Sequence, residues 1–92
     1  MTFASLNGKR ILVTGSSTGI GRAILLECAR AGADVVVNYG RSVDQAEAVA
    51  TEARALGVQA DVIAADVADE QDRRKLIRAS VATASAWSTD RP

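Results

Sequence analysis

The sequence predicts an α/β fold in which three parallel strands alternate with three helices. Short apolar runs dominated by Val, Ile, Leu and Ala occupy residues 10–14, 33–38 and 58–65, as strands of a covered parallel sheet do. Each run is followed by a longer stretch whose apolar residues recur at helical spacing. Glycines or capping residues stand at the joints between the two kinds of segment.

The first run, Arg10-Ile11-Leu12-Val13-Thr14, reads as a strand covered on both faces. Residues 20–31 follow as an amphipathic helix, with Ile20, Ala23, Ile24, Cys28 and Ala31 on one face and Arg22 and Arg30 elsewhere. Gly32 fits a helix C-terminal stop, and residues 33–38 read as the second buried strand. Ser42 suits the N-cap of the next helix, with Gln45 three residues on to complete a capping box. That helix runs to about Leu56 with a buried stripe of Ala46, Val49, Ala50, Ala53 and Leu56, and Gly57 ends it. Residues 58–65 form the third strand, where Asp61 implies a partly exposed or edge position. Asp69 starts a last amphipathic helix through Lys75, Leu76, Ile77 and Val81. Right-handed crossovers put the strands in spatial order third, second, first. No repeat occurs, and no linker marks a second domain.

The joint between the first strand and the first helix reads Thr14-Gly15-Ser16-Ser17-Thr18-Gly19-Ile20-Gly21. In this setting Gly15 permits a tight turn, Gly19 lets backbone approach a pyrophosphate with no Cβ in the way, and Gly21 allows the helix to sit close to the sheet. Amides at the helix N-terminus face the anion, and Ser16, Ser17 and Thr18 offer hydroxyl donors. Without the flanking strand and helix the same glycines would describe an ordinary turn; with them the loop predicts phosphate binding.

Ninety-two residues allow at most one small domain, and 48% apolar residues with 3% aromatic imply a core of aliphatic side chains. Eleven basic and eleven acidic residues cancel, and the basic ones are dispersed apart from Arg73-Arg74-Lys75, so neither nucleic acid nor an anionic membrane is expected as a partner. Cys28 is the single cysteine, which excludes an intrachain disulfide or a multi-cysteine metal site and suits a small buried hydrophobe in a reducing compartment. Residues 1–7 lack the pattern of a signal peptide, and no segment has the length of a membrane span, so a cytoplasmic protein with no metal is expected.

In dinucleotide sites an acidic residue about twenty positions beyond the glycines often binds the adenosine ribose. Here the second strand ends Asn38-Tyr39-Gly40-Arg41-Ser42, without a carboxylate. The absence removes repulsion of a ribose 2′-phosphate and Arg41 supplies a cation for it, which favours NADP(H) over NAD(H); the alternative is a solvated loop charge.

The spacing Thr14-Gly15-x-x-x-Gly19-Ile20-Gly21 resembles the cofactor loop of the short-chain dehydrogenase/reductase family, and the resemblance extends over roughly residues 6–81. It includes Leu6-x-Gly8-Lys9, Gly32-Ala33-Asp34-Val35-Val36-Val37-Asn38-Tyr39 and Ala64-Ala65-Asp66-Val67. It implies a partial Rossmann fold, with a cofactor site drawn from Gly15, Ser16, Ser17, Thr18, Gly19, Ile20, Gly21, Asn38, Tyr39, Arg41, Asp66 and Val67. The family places a carboxylate near the adenine amino group and a backbone contact beside the ring, roles that fall to Asp66 and Val67. The other reading of Asp66 is a turn into the last helix, which Asp69 could supply instead. Family members with a similar loop after the second strand accept either NADP(H) or NAD(H).

The catalytic half of the family pattern is missing. The family uses Tyr with Lys four residues on, helped by Ser and Asn, whereas the only tyrosine here is Tyr39 and four residues on stands Val43. The Asn-Asn-Ala-Gly motif that ends the family's fourth strand is also lacking, so no catalytic residue carries over. Residues 1–82 therefore read as the N-terminal half of an NAD(P)-binding domain, and residues 83–92 as an atypical tail, frameshifted or disordered. Codons GCC GAC GGC TTC GGC GTG GTC GAC would encode a family-like Ala-Asp-Gly-Phe-Gly-Val-Val-Asp. Loss of one C from the first codon turns them into Ala-Thr-Ala-Ser-Ala-Trp-Ser-Thr, which is residues 82–89. The expected function is that of an N-terminal fragment of a short-chain oxidoreductase, binding the adenosine-pyrophosphate part of its cofactor and inactive alone. The alternatives are a nucleotide-binding module completed by a partner chain and a cofactor-sensing protein without catalysis. A first strand with one unpaired apolar edge would favour such a partner, or self-association, and would lower stability.

Overall fold

Three consecutive valines, Val35, Val36 and Val37, are each 0% exposed, and the molecule is layered around them. The computed structural model describes the backbone of residues 5–89 and the side chains of residues 5–82. Six elements alternate along it: β1 (Arg10–Val13), α1 (Gly19–Arg30), β2 (Asp34–Tyr39), α2 (Val43–Ala55), β3 (Ala60–Ala64) and α3 (Glu70–Thr89). The sheet is parallel in order β1-β2-β3, which is the order the crossover rule predicts. Its register aligns Arg10 with Asp34 and Val13 with Val37 on one side, and Val35 with Ala60 and Tyr39 with Ala64 on the other.

Side-chain alternation along β2 divides the core in two. Val35 and Val37 join Leu25, Leu26 and Ala29 of α1 and Ala46, Val49, Ala50 and Ala53 of α2 in one apolar cluster. The small alanines of α2 let that helix lie close to β2 and β3. Val36 faces the opposite way, toward the layer that holds α3, where Leu76 and Ser80 are buried. The joints are closed as their residues require. Ser42 Oγ accepts the Gln45 amide at the start of α2. At the end of α1 a Schellman pair runs from Gly32 N–H to Ala29 O and from Ala33 N–H to Cys28 O, with Gly32 at φ +100°.

Two burial expectations are corrected. On α1 the buried residues are Leu25, Leu26 and Ala29, while Ile20, Ala23 and Ile24 are exposed and Cys28 is partly buried. Isoleucine, alanine and leucine run almost all round α1, so periodicity admits more than one buried face; contact with α2, β1 and β2 selects the leucines. Leu56 is also exposed, because it is the C-cap residue of α2 and lies past the last turn that covers the sheet. The strands sit within two residues of their expected bounds. The last helix extends in its backbone to Thr89, beyond Val81, through a stretch with no Gly or Pro. The atypical tail expected over residues 83–92 has its side chains outside the described residues.

Asp61 does sit on an edge strand, and its carboxylate pairs across the sheet with Arg10 at 3.6 Å. Arg10 also donates from Nε to Ser80 O at 2.9 Å, which fastens α3 over β1. Burial pushes the Arg10 guanidinium below its ordinary pKa, and the Asp61 charge opposes that shift. Removing only the carboxylate leaves a desolvated cation, whereas removing both charges does not. Asp61→Ala should therefore cost about 1–2 kcal/mol in urea unfolding, and the same change made in an Arg10→Met background should cost less, a difference that a double-mutant cycle measures.

Candidate nucleotide-binding site

The turn from β1 into α1 needs two residues in the left-handed region, and Gly15 (φ +62°) and Gly19 (φ +61°) occupy them. Gly21 meets a different demand. A Cβ there would stand 2.5 Å from Gly15 O and 3.1 Å from Ser16 Cα, so only glycine lets the first turn of α1 approach the loop this closely. Thr18 is the N-cap in extended geometry, yet its side chain makes no capping bond, and no acidic residue stands in the first turn. Intrahelical bonding begins with Arg22 N–H to Thr18 O. The amides before it form a positive helix end that no carboxylate of the first turn neutralises, a setting suited to a phosphate.

The C-terminal ends of the three strands are tied together by one side chain. Asn38 is 1% exposed and ends β2 but for Tyr39. Its Oδ1 accepts the Gly15 amide at 2.9 Å, and its Nδ2 donates to Ile63 O and Ala65 O, each at 3.3 Å. Ser16, 0% exposed, completes the tie: its Oγ accepts the Asn38 amide at 3.0 Å and its own amide donates to Asn38 O. Thus both Asn38 and Ser16 face inward. Tyr39 packs partly buried against the α1–α2 core.

Beside this tie lies a cleft of about 280 Å³ lined by Gly15, Asn38, Gly40, Arg41, Ala65, Asp66 and Val67. Arg41 is exposed there and has no ion pair among the described residues. Asp66 Oδ1 accepts the Ala68 amide at 3.0 Å, while the second carboxylate oxygen makes no bond among the described residues. The N-terminal cap of α3 is supplied by Asp69, whose Oδ2 accepts the Asp72 amide. Asp66 makes the turn ahead of it, its carboxylate accepting from Ala68 and its carbonyl from the Asp69 amide, so the turn falls to Asp66 and the cap to Asp69. Arg73 holds the Val67 carbonyl at 2.9 Å and fixes the cleft wall from α3.

The structure thus gathers Gly15, Asn38, Arg41, Asp66 and Val67 at one cleft, and places Ser17, Thr18, Gly19, Ile20 and Gly21 on the adjoining loop and helix start. Gly40, Ala65 and Arg73 escaped the sequence reading. Ala65 sits inside the quoted Ala64-Ala65-Asp66-Val67 motif, whereas nothing local to Arg73 signals its reach back to Val67. Among the described residues no group of His, Cys, Asp or Glu could hold a metal ion. No helix of the described residues is long and apolar enough to cross a membrane. Gly21→Ala should lower the urea unfolding stability by about 1–3 kcal/mol, because the methyl group meets backbone that cannot rotate away.

Comparison with known proteins identifies the family. The family model for short chain dehydrogenases matches residues 9–86. The L-rhamnose 1-dehydrogenase (NAD(P)(+)) of Sphingomonas sp. strain SKA58 is 45% identical over 78 residues, which cover 85% of this chain and 31% of that protein. A short chain dehydrogenase from Burkholderia cenocepacia J2315, solved in complex with NADP, superposes with a TM-score of 0.84 at 42% identity over 87% of this chain and 33% of its own. A blue fluorescent protein from a metagenomic library, solved in complex with NADPH, gives 0.83 at 36% identity over 87% and 33% of the two chains. The chain spans about a third of the length of these relatives. On its motifs, its topology and this match, the chain belongs to the short-chain dehydrogenase family.

Proposed function

We propose that this chain binds the adenosine-pyrophosphate part of NADP(H) as the N-terminal portion of a short-chain oxidoreductase. The observation that carries the reading is that Gly15, which lines the cleft, also lies against the first turn of α1 at Gly21. A dinucleotide supplies two phosphates for the helix end and an adenine for the Asp66 side of the cleft. The carboxylate oxygen of Asp66 that Ala68 leaves unused accepts from the adenine amine, and the Val67 segment, held by Arg73, lies alongside the ring. Arg41, at the cleft and in no ion pair among the described residues, pairs with a 2′-phosphate. Ser17 and Thr18 lie on the loop where hydroxyls can donate to phosphate.

The hydride transferred by a bound nicotinamide needs an acid or base and a substrate pocket, and this chain has no tyrosine with a lysine four residues on. By itself it should show no dehydrogenase activity. Residues 1–82 act as half of the nucleotide domain, and residues 83–92 as a tail off the family pattern. Sequencing the coding DNA through Ala82 and past Pro92 tests the fragment reading. A neighbouring frame that runs on into Asn-Asn-Ala-Gly and Tyr-x-x-x-Lys supports it, and the lack of one defeats it.

A second reading, completion by a partner chain or a second copy, is favoured by one observation. β1 pairs on one side only among the described residues, and Ile20 (80% exposed), Ile24, Ile77 and Val81 leave apolar side chains uncovered on α1 and α3. Sedimentation of the 92-residue chain should show association that rises with concentration, together with a low urea midpoint. A stable monomer with a cooperative transition would oppose this reading.

For the cofactor, calorimetry with 2′,5′-ADP and 5′-ADP should show tighter binding of the former. Arg41→Ala should lower the 2′,5′-ADP affinity by about tenfold and leave 5′-ADP nearly unchanged. Tighter binding of 5′-ADP to the unmodified chain would reverse the assignment to NADP(H).

A further inference from the structure

We propose that Asn38 is a positioning residue that fixes the phosphate loop to the adenine side of the cleft, and that it is excluded from ribose recognition by this duty. The inference rests on the nucleotide-binding reading above. Its basis is the direction of three hydrogen bonds: a single amide group receives from Gly15 N–H and gives to Ile63 O and Ala65 O. These partners lie on the loop after β1 and at the end of β3, so one side chain spans all three strand ends. The partners also fix which way the amide points, since its oxygen faces a donor and its nitrogen faces two acceptors.

A carboxylate at this place would keep an acceptor for Gly15 but set its other oxygen against two carbonyl oxygens with no proton to offer. Asn38, the residue before the last of β2, is thus closed to the acidic ribose ligand that dinucleotide sites often carry near the end of this strand. Ribose discrimination passes to the segment after Tyr39, where Gly40 and Arg41 line the cleft.

Asn38→Asp tests this, with Asn38→Leu as the variant that has no charge to titrate. Buried against carbonyl oxygens, the new carboxyl would have a raised pKa in the folded chain. Its share of stability would be intact below the unfolded value of about 3.9 and lost as pH climbs toward the folded value. The groups around it are Arg41 after β2, Asp66 after β3 and Asp72 at the start of α3, while the β1–α1 loop carries no titratable side chain. The unmodified chain, measured in parallel, subtracts their effect.

Urea midpoints at pH 4.5 and 7.5 should show a deficit for Asn38→Asp that widens at the higher pH, and a deficit for Asn38→Leu that does not. If Asn38→Asp is unfolded at pH 7.5, acidification should restore its circular dichroism; no recovery would count against the proposal. In binding, both 2′,5′-ADP and 5′-ADP should weaken by about tenfold with their ratio unchanged. Equal midpoints for Asn38→Asp and the unmodified chain at pH 7.5, or a ratio moved tenfold toward 5′-ADP, would overturn it. Should the unmodified chain bind neither probe, the nucleotide reading fails, and the pH comparison still decides whether Asn38 ties the strands.

Discussion

The rest of the structure depends on how a small parallel sheet closes the ends of its strands. Strand ends in such a sheet turn away in different directions, and their last amides and carbonyls lack ladder partners. Here the Asn38 side chain meets one amide and two carbonyls, and Ser16 meets the Asn38 amide. Neither could be replaced by an apolar residue of the same size without leaving buried polar groups unpaired. The tie also sets the geometry of the loop after β1, since it holds Gly15 and Ser16 against β2 while Gly21 lets α1 close over them. A binding loop held at both ends needs little further ordering when an anion arrives.

Much of this was legible in the sequence, and what was not has a physical cause. The glycine loop could be read because each glycine answers a separate backbone need, and the α2 stripe because its alanines recur at helical spacing against a charged remainder. The burial of α1 could not, since Ile20, Ile24, Leu25 and Leu26 are equally apolar and only the neighbours decide between them. The role of Asn38 was hidden for another reason. Its partners are 23 to 27 positions away, and spacing along a chain says nothing about which carbonyls a distant strand will present. Asp66 and Asp69 show the intermediate case. Both residue types suit a turn or a cap, and only the observed bonds assign the cap to Asp69.

The two layers of the fold are unequal. The face that carries α1 and α2 has an aliphatic core fed by both helices, whereas the opposite face relies on Val36, Leu76 and the ion pair between Arg10 and Asp61. A charged pair at 3.6 Å, part buried, stabilises less than the apolar contacts it displaces, but it gives α3 a defined place through the bond from Arg10 to Ser80. That same placement leaves Ile77 and Val81 uncovered, as the α1 packing leaves Ile20 and Ile24. Exposed pairs at i and i+4 on two helices, together with a strand edge free on one side among the described residues, are what a sheet shows where more structure would continue it.

The uneven covering leaves the proposed nucleotide site untouched. Every group assigned to it comes from the C-terminal ends of β1, β2 and β3 or from the segments just beyond them, so the site lies at one end of the sheet and not along the side of β1 that has no partner strand among the described residues. Its electrostatics are likewise local: one helix end without a side-chain cap and Arg41, in no ion pair among the described residues, offer positive charge, and one carboxylate, Asp66, lines the same cleft. The positive helix end favours a phosphate group at the loop, while Asp66 opposes an anion at the opposite wall and welcomes a donor there. An adenosine with a pyrophosphate at one end meets that pattern; a simple polyphosphate, which brings charge to all sides and no amine, does not.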